Sequence, residues 1–117
     1  MSVVTNIKLL LAAAALGLLA ANVHAGNADA GKEKSRTCAA CHGPDGNSGA
    51  GDFPRLAGQH YDYLVKSLKD YKTGARKNAI MAPLVANLST RDMEDLSAYY
   101  AQQQGLLTRK MHYLVPR

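Results

Sequence analysis

Apolar residues recur with helical spacing in two stretches of the chain, and a third has helix-forming composition. Over residues 61–71, Leu64, Val65, Leu68 and Tyr71 share one face, while Lys66, Lys69, Asp70 and Lys72 take the other. Gly74 follows as a helix stop. A second stripe of Met93, Leu96, Tyr99 and Tyr100 opens at Ser89, an N-cap residue with Asp92 completing an approximate capping box. Gly105 is expected to end that helix. Residues 27–40 predict a first helix, with Asn27 or Asp29 as its cap. Gly31 inside it costs about 1 kcal/mol relative to alanine, so it marks either the true start or a close crossing by another helix. Residues 43–51 are dense in turn formers, and residues 53–59 follow as ordered loop. The turn-rich stretch lacks the GxxxxGK pattern of a phosphate cradle. Arg76 and Lys77 read as solvated loop charges, and Pro83 stiffens a loop over residues 78–84.

The first 25 residues break this pattern. Lys8 is the only charge before an uncharged apolar run over residues 9–21, and Val23-His24-Ala25 fits a small-x-small cleavage site. Residues 1–25 are therefore expected to be a secretory signal peptide, and residues 26–117 one small domain. The run falls short of the ~20 apolar residues of a spanning helix, which argues against an uncleaved anchor. Lys and Arg number 14 against 9 Asp and Glu, for a net charge of +5. Loss of Lys8 lowers this by one. So mild a balance, with no basic run or interleaved aromatics, is weak evidence for a nucleic-acid binder and suits steering toward an acidic redox partner.

The chemistry concentrates at Cys38-Ala39-Ala40-Cys41-His42. This is CxxCH, the attachment signature of a c-type haem. Two thiols three positions apart on a helical turn can each reach one haem vinyl group, and the adjacent imidazole then points at the iron. The chain has 2 cysteines in all, so none is left for a disulfide framework or a four-cysteine zinc site. A thioredoxin-type dithiol would sit in a βαβ context that this sequence does not offer. Half a zinc site with His42 and His60 is the other reading, and its spacing is poor. Haem c, one per chain and covalently attached, is the expected cofactor. It would add a large apolar body to a core that so short a chain builds poorly alone. Attachment outside the cytoplasm agrees with the leader and a periplasmic location.

Taken in order, Cys38-Ala-Ala-Cys-His42-Gly-Pro-Asp-Gly-Asn-Ser, Phe53-Pro-Arg-Leu-Ala-Gly-Gln59, Met81-Ala-Pro83 and Asp95-Leu-Ser-Ala-Tyr-Tyr100 resemble the small class I cytochromes c, most of all the bacterial group of cytochrome c4 halves, c5 and c553. The resemblance covers about residues 28–104. Cytochrome c4 has two haem domains, whereas this chain has one signature. The resemblance implies an all-α fold whose first and last helices cross near the haem, setting Gly31 opposite the Tyr99 and Tyr100 region. It makes His42 the proximal iron ligand, Met81 the distal ligand, and the Pro54 carbonyl the acceptor for the histidine's other ring nitrogen. Met81 also stands out on its own. A distal ligand must come from a separate segment that folds over the haem; Met93 lies on a helical stripe as core filler, and Met111 lies in a tail with no assigned role. His60 and His112 read as surface or structural histidines.

With His42 and Met81 both bound, iron has no open position. The expected function is a soluble periplasmic carrier of single electrons, not an enzyme. Its partners would be periplasmic redox proteins or a membrane-bound oxidase or reductase, with no nucleic acid and no small-molecule substrate. Two alternatives stay open: an open-site haem protein if Met81 does not ligate, and a haem subunit docked to a dehydrogenase or oxidase through residues 106–117.

Overall fold

The computed structural model describes residues 26–105, so the leader and the tail beyond Gly105, with Met111 and His112, lie outside the described residues. Among the described residues five helices follow one another: α1 (Ala28–Lys34), α2 (Arg36–His42), α3 (Tyr61–Thr73), α4 (Met81–Val85) and α5 (Thr90–Ala101). The fold is all-α, with no strand among the described residues. None of the helices described is long and apolar enough to cross a membrane.

The expected first helix is in fact two. The Ser35 N–H and hydroxyl both reach the Lys32 carbonyl, at 3.3 and 2.8 Å. This three-residue closure tightens the chain and competes with the helical bond, so α1 ends at Lys34 and α2 starts afresh at Arg36. The second piece then runs through His42, two residues past the expected end. Asn27, rather than Asp29, is the cap of α1, its side chain accepting from the Ala30 N–H. Helix α3 stops at Gly74, which is left-handed at φ 80°. The capping box of Ser89 and Asp92 is present at the start of α5. Helix α5 ends at Ala101, a turn short of Gly105.

Helix α1 lies across α5, and α3 packs on the same helix. At the first crossing a Cβ on Gly31 would sit 2.0 Å from the Asp95 carbonyl oxygen and 2.9 Å from the Tyr99 Cβ. The glycine is there because backbone meets backbone. Tyr99, not Tyr100, is the tyrosine opposite it. The Asp95 carboxylate, 3% exposed, takes the Asn27 N–H at 2.7 Å, Lys34 Nζ at 2.6 Å and Arg91 Nε at 3.2 Å. Lys34 Nζ also reaches Asp92 at 2.8 Å. Burial pushes the Asp95 carboxyl up, but Lys34, the Asn27 amide and Arg91 outweigh it and hold it below the usual carboxylate range. Hydrogen bonds from Lys34 and Ser89 hold Asp92 lower still.

A carboxylate with a depressed folded-state pKa contributes stability above its unfolded pKa of about 3.9, and that stability is lost as pH falls through the folded value. Asp95→Asn should therefore cost about 2 kcal/mol at pH 7 by urea unfolding, the worth of charge-assisted hydrogen bonds. The gap to the parent should narrow below about pH 4. A gap of constant size down to pH 2 would show that the carboxylate charge is not what joins α1 to α5.

Candidate cofactor site

Helix α2 places Cys38, Cys41 and His42 at i, i+3 and i+4, on one face. Both cysteines are free and half-buried, and His42 is 6% exposed. All three line a cleft of about 820 Å³, within the range of cofactor pockets. Helix α3 contributes Leu64, Leu68 and Tyr71 to its wall; α4 contributes Met81, Leu84 and Val85; α5 contributes Leu96, Ser97 and Tyr100.

His42 Nδ1 stands 2.7 Å from the Pro54 carbonyl oxygen. A carbonyl only accepts, so Nδ1 carries a proton and donates, and in the neutral ring Nε2 is the nitrogen that keeps its lone pair. The loop holding Pro54 is fixed from both ends. The Leu56 N–H donates to the Gly46 carbonyl at 2.8 Å, and the Gly58 N–H to the Tyr100 carbonyl at 2.9 Å. The Tyr99 hydroxyl donates to the Pro44 carbonyl at 2.8 Å. Gly46 has φ 81°, and a Cβ there would lie 2.7 Å from the Tyr100 ring, so the loop can close onto α5 only with glycine at this point.

Met81 is not on a loop, as its neighbour Pro83 led us to expect. It is the first residue of α4. The Asn78 side-chain oxygen accepts from the N–H groups of both Ile80 and Met81 at 2.9 Å, starting the helix there. Pro83 then falls in the first turn, where its missing N–H is no loss. Met93 is 2% exposed in the core. His60 is exposed at the start of α3. Among the described residues no three His, Cys, Asp or Glu side chains converge to hold a metal ion.

Sequence reasoning missed three features of this site. Arg76 is not simply a solvated charge: its guanidinium lies 4.7 Å from the centre of the Tyr71 ring, at the cleft wall. Ser97 Oγ and the Tyr100 hydroxyl are buried against the cleft with no hydrogen-bond partner. The signal for Ser97 was available, since it shares the α5 face of Met93, Leu96 and Tyr100 as a hydroxyl on an apolar stripe.

The Cytochrome c family model matches residues 28–104. The chain belongs to the cytochrome c family. It is 48% identical over 89 residues to cytochrome c4 of Pseudomonas aeruginosa, covering 76% of this chain and 44% of that one. It is 46% identical over 83 residues to cytochrome c-554(548) of Halomonas halodenitrificans, covering 68% of this chain and 100% of that one. The crystal structure of reduced recombinant cytochrome c4 from Pseudomonas stutzeri superposes with a TM-score of 0.67 at 45% identity, covering 70% of this chain and 48% of that chain. The chain thus spans about half the length of the cytochromes c4 it matches.

Membership makes this a c-type cytochrome with covalently attached haem c. The site suits that cofactor on its own terms. It offers two free thiols on one helix face, an imidazole with one nitrogen unclaimed, and walls that are largely aliphatic and aromatic.

Proposed function

We propose that this cytochrome c is a periplasmic single-haem electron carrier with His42 and Met81 as its axial ligands. The observation that carries the reading is the hydrogen bond from His42 Nδ1 to Pro54, together with Met81 on a separate helix lining the same cleft. Cys38 and Cys41 would each hold the haem through a thioether to one of its vinyl groups, the thiol hydrogen passing to the other vinyl carbon. His42, held by Pro54, presents Nε2 to the iron in a fixed orientation. Met81, whose N–H donates to the Asn78 side chain, would bring a soft sulfur that favours Fe(II). The bound haem supplies a one-electron Fe(II)/Fe(III) couple. Keeping both ligands in both oxidation states leaves the protein little to rearrange on electron transfer. Residues 1–25 direct export, and the basic balance draws acidic redox partners, periplasmic or on a membrane-bound oxidase or reductase.

The test is the visible spectrum of the purified holoprotein beside Met81→Ala. The parent should be low-spin. The variant should turn high-spin, bind added imidazole and keep its covalent haem. Its potential should fall by on the order of 0.1 V, a fraction of the ~0.8 V span that axial ligands control. A Met81→Ala protein with an unchanged low-spin spectrum and potential would remove Met81 from the iron.

A further inference from the structure

Tyr100 has a feature that its place on an apolar stripe does not explain. Its ring is 3% exposed and fills the core with Leu64 and Leu96, a task phenylalanine would perform as well. Yet it carries a hydroxyl, and that hydroxyl is buried with no partner at full hydrogen-bond geometry, Cys38 and Ser35 being the side chains close enough to interact with it. Tyr99, on the same helix, has its hydroxyl satisfied by Pro44. The Cys38 side chain packs on the Tyr100 cluster and lines the same cleft. Burial holds the phenol above its usual pKa, and Cys38 and Ser35 are among the groups acting on it. It is therefore a proton donor throughout the physiological range.

We propose that the Tyr100 hydroxyl donates a hydrogen bond to the Cys38 sulfur once that sulfur has become a thioether. A free thiol keeps a proton of its own. A thioether has exchanged that S–H for a second S–C bond and retains only lone pairs, so it is solely an acceptor. Attachment thus sets the direction of the contact, and the buried phenol gains the partner it lacks. Tyr100 becomes a positioning residue that ties the attached edge of the haem to α5. Ser35 is the competing acceptor, because its own proton is already given to Lys32 while its oxygen lone pairs remain.

This inference rests on the attachment proposed above, so the experiment begins by showing that the haem survives acid-acetone extraction; failure there defeats the attachment reading itself. Resonance Raman spectra of the attached holoprotein are then recorded in H2O and D2O. One of the two thioether C–S stretching bands should shift with deuterium in the parent and in Tyr99→Phe, and the shift should vanish in Tyr100→Phe. The parent measurement stands even if Tyr100→Phe folds poorly. Attached haem with both C–S bands indifferent to deuterium, or a shift that persists in Tyr100→Phe, would overturn the proposal.

Discussion

A chain carrying both Cys38→Ala and Cys41→Ala should release essentially all of its haem on acid-acetone extraction, where the parent retains it. Each single change should impair attachment, because one vinyl group is then left without a thiol. The structural consequence should be as large as the chemical one. The buried apolar residues of the described fold are few: Ala57, Leu64, Val85, Met93, Leu96, Ala98 and Tyr100. Of these, Leu64, Val85, Leu96 and Tyr100 line a cleft of about 820 Å³. Without the haem that cleft leaves its aliphatic and aromatic walls facing water, and the hydrophobic burial that would hold α2, α3, α4 and α5 around it is lost. A domain has only about 5–15 kcal/mol of net stability. A haem-free chain therefore cannot hold this arrangement and should show weak helical circular dichroism and rapid proteolysis. A cooperative, protease-resistant haem-free domain would mean that the helices pack without the cofactor between them.

Gly31→Ala should cost about 3 kcal/mol or more by urea unfolding of the holoprotein. The direction is opposite to that of an ordinary helical glycine, where alanine gains about 1 kcal/mol. Here the added Cβ would meet the Asp95 carbonyl oxygen at 2.0 Å and its carbon at 2.6 Å. Backbone cannot rotate out of the way as a side chain does, so α1 and α5 must separate. Separation would also stretch the contacts of Asp95 with the Asn27 N–H and with Lys34, adding to the overpacking cost. Gly49→Ala is the control, since nothing lies within 4 Å of a Cβ there; it should move stability by less than about 1 kcal/mol. Equal stability of Gly31→Ala and parent would show that the crossing is slack.

Local signals were legible because their physics is local. The spacing of Cys38, Cys41 and His42 puts them on one helical face wherever the helix lies. The Ser89 and Asp92 capping box closes within four residues, and the stripe of Leu64 and Leu68 needs only helical period. Other features depend on what comes near from elsewhere in the chain. The break at Ser35 turns on a hydroxyl choosing the Lys32 carbonyl over solvent. Pro54 faces His42 through its backbone carbonyl, a group every residue carries and no sequence pattern marks; family resemblance alone pointed to it. Arg76, though exposed, lies over the Tyr71 ring. The chain by itself determined which residues can form helices, which thiols and imidazole share a face, and which methionine lies on a separate segment from them. Only the tertiary structure decided how closely the backbone of α5 approaches Gly31, that Asn78 starts a helix under Met81, and that the Tyr100 hydroxyl is buried in the core, because burial and contact between distant residues are properties of the packed chain.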